Sequence, residues 1–553
     1  MGSVSGDATH LSYPPARRDD SVVDDYHGVQ VPDPYRWLED PSSKETEEFM
    51  DRQVELCEKV LAGCPDAENL RKEIKRLFDH PRYSAPIRRG NKYFYFHNSG
   101  MQDQSVLYMQ DDLEGKAEVL FDPNTLSADG SVILTIFSIS EDGNYMAYGL
   151  NENGSDWVTI HVMNTTDKQP MPDKLSWVKF SCMGWTHDGK GFFYGRFPAP
   201  RDGGDLDAGV EMNVNVNHQL CYHVVGTDQS EDIVCWKDPE NPKHSFRASV
   251  TEDGKYVILG TNEVPGFDRT RFQVKQVFVP SKDGTKLPMF VMSKKDIKLD
   301  GSHPTLLHGY GGFNISITPS FSFARVVLCK NMGFIVCMAN IRGGGEYGEE
   351  WHKAGALAMK QNCFDDFISC AEFLISDHYT SSTKLGIEGG SNGGLLVAAS
   401  INQRPDLFQC ALAGGGVMDM LRFHKFTIGH AWTTDYGCSD KEEEFHWLIK
   451  YSPLHNVRRP WDQGYGNQCQ YPATMLLTAD NDDRVVPLHS LKLIATLQYV
   501  LCTSVKDTPQ TNPIIARIER KSGHGGATTK RLIDEAAEKY SFMAKMLGAS
   551  WTE

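Results

Sequence analysis

Residues 389–393 read Gly-Gly-Ser-Asn-Gly, a G-x-S-x-G set between the strand-like KLGIE and the helix-like GGLLVAASINQ. That context suits a nucleophile elbow, in which a sharp strand-to-helix turn lifts the serine above the sheet. Glycines relieve the collisions such a turn creates. Ser391 is the candidate nucleophile, and the backbone N–H of Asn392, at the start of the following helix, is a candidate oxyanion donor. A serine hydroxyl needs a base, and the base needs an orienting carboxylate. Downstream, LLTADNDDRVVP places Asp480, Asp482 and Asp483 after an apolar run, and IIARIERKSGHGG places His524 on a glycine-flanked loop. The order Ser, Asp, His is that of hydrolases built on a parallel sheet. Spacing alone does not choose among the three aspartates.

The elements that must position these groups fall into two textures. From about residue 268 onward, apolar runs such as HPTLLHGYGG, GFIVCMANIRGGG, KLGIEGG and YPATMLLTAD end in glycines or charges and alternate with helix-like segments. This pattern predicts an α/β domain with a parallel sheet covered on both faces, carrying its site beyond the carboxyl ends of the strands. Before it, ISEDGNYMAYG (139–149), WTHDGKGFFYG (185–195) and VTEDGKYVILG (250–260) repeat an Asp-Gly turn followed by alternating apolar residues, with a looser copy at 87–98. Recurrent hairpins of this kind predict propeller blades over 80–267. Residues 1–79 are charged and helix-prone and are assigned to an N-terminal segment packing with the catalytic domain, 268–553.

Longer runs carry a resemblance. HGYGGFNISITPSF, NIRGGGEYGEEWHKAG, KQNCFDDF, GGSNGGLL, IGHAWTTDYGC, TADNDDRVVPLHSLK and SGHGG together resemble prolyl oligopeptidase (prolyl endopeptidase), over 275–553 almost without a break and over about 20–260 more loosely. The resemblance implies an α/β-hydrolase domain capped by a β-propeller and a serine peptidase cutting short peptides after proline. It also implies a triad of Ser391, Asp482 and His524, with the Tyr310 hydroxyl joining the Asn392 N–H as oxyanion donor. Trp432 would stack on the proline ring, and Phe313, Val417, Ile428, Tyr436 and Val485 would wall its pocket. Arg484 would bind the carbonyl of the preceding residue. Proline lacks an N–H, so its pocket selects by shape and apolar surface. No metal or cofactor is implied.

The chain departs from the family in one large respect. Family propellers have about seven blades, and only four blade-like repeats fit between residues 80 and 267. The propeller is therefore expected to be truncated, with catalytic chemistry retained and gating lost. His308 stands where the family usually has tyrosine. A catalytically silent scaffold, another serine hydrolase and a transpeptidase or macrocyclase are the alternatives.

Bulk properties narrow the partners. A net charge of -17 with no long basic run argues against nucleic acid or an anionic membrane. Neither a secretory signal nor a membrane-spanning stretch is visible, and 13 cysteines without CxxC pairs read as reduced thiols. A cytoplasmic monomer acting on short proline-containing peptides is the expectation.

Overall fold

The computed structural model describes residues 11–128, 130–152, 155–179, 181, 183–186, 188–199, 217–237, 239–240, 271–295, 297–320, 322–466, 469–524 and 528–552. After a two-stranded antiparallel hairpin, Val23–Tyr26 with Val29–Pro32, three larger antiparallel sheets precede a large mixed one. The first contains Arg82–Tyr83, Ile87–Arg89, Lys92–Asn98, Val106–Gln110 and Glu118–Phe121. The second contains Val132–Ile139, Tyr145–Glu152, Trp157–Asn164 and Pro170–Lys179, and the third Met183–Trp185, Gly191–Arg196, Gln219–Val224 and Ile233–Trp236.

The Asp-Gly repeats at 139–149 and 185–195 are hairpins, as their spacing predicts. Gly143 and Gly189 take φ of 74° and 66°, a region other residues enter at a cost. Asp142 stabilises its turn by accepting from Ser140 Oγ at 2.6 Å and from Asn144 N–H at 3.1 Å. The repeat at 250–260 lies outside the described residues. Apolar faces join neighbouring sheets. Phe94, Leu107 and Leu120 pack with Met146 and Met163, while Ile160 and Leu175 pack with Trp185, Phe192 and Tyr194.

The eight strands of the large sheet are β1 (Phe272–Pro280), β2 (Lys286–Lys294), β3 (Thr305–His308), β4 (Ile335–Ala339), β5 (Leu385–Gly390), β6 (Cys410–Gly414), β7 (Ala473–Ala479) and β8 (Ile514–Glu519). Their spatial order is β1-β2-β4-β3-β5-β6-β7-β8. Only the pairs made by β2 are antiparallel, and β3 to β8 run parallel. The parallel run β3 to β8 is the α/β sheet anticipated from the apolar runs, and the whole fits the α/β-hydrolase domain that the resemblance implies. Strands β4 and β7 are buried throughout, which explains their unbroken apolar character.

Helices cover both faces. Gln361–Ser376 and Asn392–Gln403 pack on one core, and the C-terminal helix Thr529–Leu547 lies on the other. The N-terminal helices Lys44–Ala62 and Ala67–Phe78 bury Leu56, Val60, Leu70 and Ile74 beside Tyr540, Phe542 and Met543 of that C-terminal helix. No described helix is long and apolar enough to cross a membrane.

Candidate active site

At the end of β5 the chain turns directly into the helix Asn392–Gln403, with Ser391 between them at φ 56° and ψ −120°. A non-glycine residue there is strained, and the surroundings must hold it. Ser391 N–H donates to Gly414 O at 2.7 Å, and Ser391 O accepts from Gly394 N–H at 2.8 Å. A Cβ on Gly389 would lie 2.2 Å from Gly393 O, so the two glycines of the motif answer each other across the turn.

The three aspartates have three different partners. Asp480 accepts from Ser522 N–H at 3.3 Å, bracing the histidine loop. Asp482 Oδ2 meets His524 Nδ1 at 2.8 Å, and its Oδ1 accepts from the Arg484 and Val485 N–H groups at 3.1 and 2.8 Å. Asp483 turns away and pairs with Lys179 Nζ at 2.7 Å, both side chains fully buried. Burial alone would lower the His524 pKa, but the charge and hydrogen bond of Asp482 outweigh it and raise the ring above 6.5. Ser391, Asp482 and His524 line one cavity.

Tyr310 follows β3, beside the elbow. Burial raises its phenol, and a hydrogen bond with Ser391 pulls the other way. Asn392 is held from three sides. Its Nδ2 donates to Tyr310 O, and its Oδ1 accepts from Tyr436 Oη at 2.8 Å and Lys360 Nζ at 3.2 Å. Fixing that side chain fixes the backbone N–H above it.

The apolar candidates form an aromatic row. Phe313 and Tyr436 meet edge to face at 5.3 Å. Phe423 is edge-on to Tyr436 at 5.4 Å and stacks on Trp432 at 6.3 Å. Val417 and Val485 are buried in the adjoining core, while Ile428 and Trp432 are half-buried. Phe313 has φ 56°, and its N–H donates to Asp435 Oδ1 at 3.1 Å.

Phe423, Lys360 and Asp435 were not legible as site residues. Lys360 and Asp435 act through partners distant in sequence, and Phe423, although close in sequence to Trp432 and Tyr436, is a lone loop aromatic that gives no pattern. The LRFHKF run does flag an aromatic near HAWTTDYG. Arg484 is engaged from the second sheet, where Asp156 takes its Nε at 3.0 Å and Nη2 at 2.7 Å.

The family model for the prolyl oligopeptidase N-terminal β-propeller domain matches residues 14–294, and that for the prolyl oligopeptidase family matches 319–550. Prolyl oligopeptidase A of Amanita bisporigera is 32% identical over 743 aligned positions, covering 98% of this chain and 95% of that protein. Prolyl endopeptidase of Elizabethkingia meningoseptica is 32% identical, covering 97% and 96%. Prolyl oligopeptidase B from Galerina marginata, solved with a 35-residue hydrolysis and macrocyclization substrate, superposes with a TM-score of 0.89 at 28% identity, covering 98% of this chain and all of that one.

Proposed function

Because the chain belongs to the prolyl oligopeptidase family, we propose that it is a serine endopeptidase hydrolysing peptides on the carboxyl side of proline. The observation that carries this reading is the coincidence of a strained Ser391, the His524–Asp482 pair and the aromatic row ending at Trp432.

His524 takes the Ser391 proton as the serine attacks the prolyl carbonyl, and Asp482 stabilises the imidazolium that forms. The Asn392 N–H and the Tyr310 hydroxyl stabilise the tetrahedral oxyanion, at roughly 3 kcal/mol per donor in comparable sites. His524 then protonates the leaving amine, and water releases the acyl-enzyme by the same steps in reverse. Trp432, with Phe313, Val417, Ile428, Tyr436 and Val485, receives the proline ring. Arg484 binds the preceding carbonyl, and Asp156 holds its guanidinium in place from the propeller side.

Matched peptides carrying Pro or Ala at the cleavage position test the reading. Cleavage of the Pro peptide alone, with fluorophosphonate labelling of Ser391, is expected. Equal rates for both peptides would remove the proline assignment, and an unlabelled Ser391 would remove catalysis.

A second reading is transpeptidation. A 31% identical relative in Amanita bisporigera is named a dual function macrocyclase-peptidase. Mass analysis of products made with an added amine acceptor separates the two outcomes.

A further inference from the structure

A cavity of about 710 Å³ opens beside Ser391, with His524 at its mouth. None of Phe313, Trp432 or Tyr436 lines it, whereas the group that protonates the leaving amine does. It is therefore a separate space from the aromatic row, on the histidine side of the nucleophile. Its inner wall is made by β3, β5 and the C-terminal helix. There Glu388 of β5 sits in register with His308 of β3 and is buried. Glu388 Oε1 is bonded by Lys539 Nζ at 3.0 Å and Tyr540 Oη at 3.1 Å. Burial pushes this carboxyl up, but Lys539 together with His308 and Arg325 holds it well below the usual range.

Most other charges on the wall are also matched. Arg517 pairs with Glu519 and Glu538 at 2.9 and 2.6 Å, Arg531 approaches Glu519 at 3.7 Å, and Glu535 meets Lys539 at 3.2 Å. Arg325 is different. Its Nη2 is 3.8 Å from Glu388 Oε2 and its Nη1 is 3.9 Å from Met338 Sδ, although the side chain is only 15% exposed. His308 Nδ1 is buried and lies 3.6 Å from the same carboxylate. Glu388 is already bonded by Lys539 and Tyr540 and meets Arg325 only at long range, so the guanidinium, which lines the cavity, keeps donors for a ligand. A guanidinium offers five donors in a planar fork suited to a carboxylate.

Length supplies the second constraint. Glu388 precedes Ser391 by three residues along an extended strand, a separation of about 10 Å. An extended peptide of about three residues covers the same distance. We infer that this cavity is a subsite for short leaving peptides and that Arg325 binds their terminal carboxylate. This rests on the prolyl peptidase reading and names the substrate class it prefers: peptides ending about three residues beyond the proline.

The test compares N-blocked Gly-Pro-Ala-Ala-Ala as the free acid and as the C-terminal amide, with a blocked Gly-Pro anilide reporting prolyl cleavage separately. In the unaltered protein the acid should be cut with kcat/KM about tenfold higher than the amide, mainly through KM, as suits one charge-assisted contact. The preference should vanish when six residues follow the proline. In Arg325→Gln the acid-to-amide ratio should fall to about one, and because the ratio is the readout, a general loss of activity cannot imitate it. Equal rates in the unaltered protein, or a ratio that survives Arg325→Gln, would overturn the inference. So would failure to cut either peptide while the anilide is hydrolysed. An inert anilide would instead overturn the prolyl reading itself.

Discussion

At the scale of single residues, the site depends on donors whose directions are set by their neighbours. Tyr310→Phe removes one of the two proposed oxyanion donors and leaves the ring in place. It should lower kcat by about 10² to 10³ with little change in KM, because the hydrogen bond to the oxyanion exists only in the transition state. Steady-state kinetics on a proline anilide would check this, and an equal effect on KM alone would contradict the role. The pH profile gives a second test. His524 must be neutral to act as base, and Asp482 raises its pKa above 6.5. Activity should therefore fall as pH drops through a midpoint above 6.5, with the protonated ring inactive. Asp482→Asn removes the charge that raises the ring, so the midpoint should move down while kcat drops by about 10⁴. A midpoint unmoved by that change would mean another group controls the acid limb. Ser391, the aspartate run and His524 were legible because each sits on a loop whose local pattern is itself diagnostic. Phe423 and Asp435 were not, because their meaning comes from Trp432, Tyr436 and Phe313, which fold beside them.

At the scale of elements, the loop after β7 does two jobs in three consecutive residues. Asp482 faces His524, while Asp483 and Arg484 reach the second propeller sheet at Lys179 and Asp156. The alternation along LLTADNDDRVVP shows that charges leave the sheet here. It cannot show that two of them find a separate domain, since Lys179 is 304 residues away. The parallel sheet and the hairpins were readable because their periodicities are local, and the joint between them was not. Both side chains of the Lys179–Asp483 pair are fully buried. Removing one partner leaves an uncompensated charge, so Lys179→Met should cost about 3–5 kcal/mol, and the double variant with Asp483→Leu should recover much of it. Denaturant melts of the single and double variants would decide, and additive losses would argue against a coupled pair. The Asp156–Arg484 pair is partly exposed, at 12% and 39%, so its loss should change stability little. Asp156→Asn should instead raise KM by loosening the guanidinium proposed to bind the substrate carbonyl.

At the scale of the whole molecule, the propeller is short. The alignment with the Amanita relative runs over 743 positions, so a chain of 553 residues leaves at least 190 of them unmatched. At roughly 50 residues per blade, that is three to four blades. Among the described residues, the last strand of the third sheet is exposed throughout, with Ile233 at 59% and Trp236 at 62%. At the other end Tyr83 is 65% exposed and stacks on His97, in a first sheet where Tyr95 stacks on Tyr108. Both faces have the apolar character of surfaces that a neighbouring blade would cover in a complete ring. A complete ring of blades capping the site would admit only short peptides. The described sheets retain the Asp156 and Lys179 contacts on one side of the site without supplying a full circle of blades. Access should thus be limited by the catalytic cleft itself. Joining a blocked Gly-Pro fluorogenic peptide to an inert folded carrier through a short linker tests this. The carrier-bound peptide should be cut with kcat/KM within about tenfold of the free peptide, since no lid has to close behind it. A loss of a hundredfold or more, with the free peptide still hydrolysed, would mean that the shortened propeller shuts the site as a full ring does.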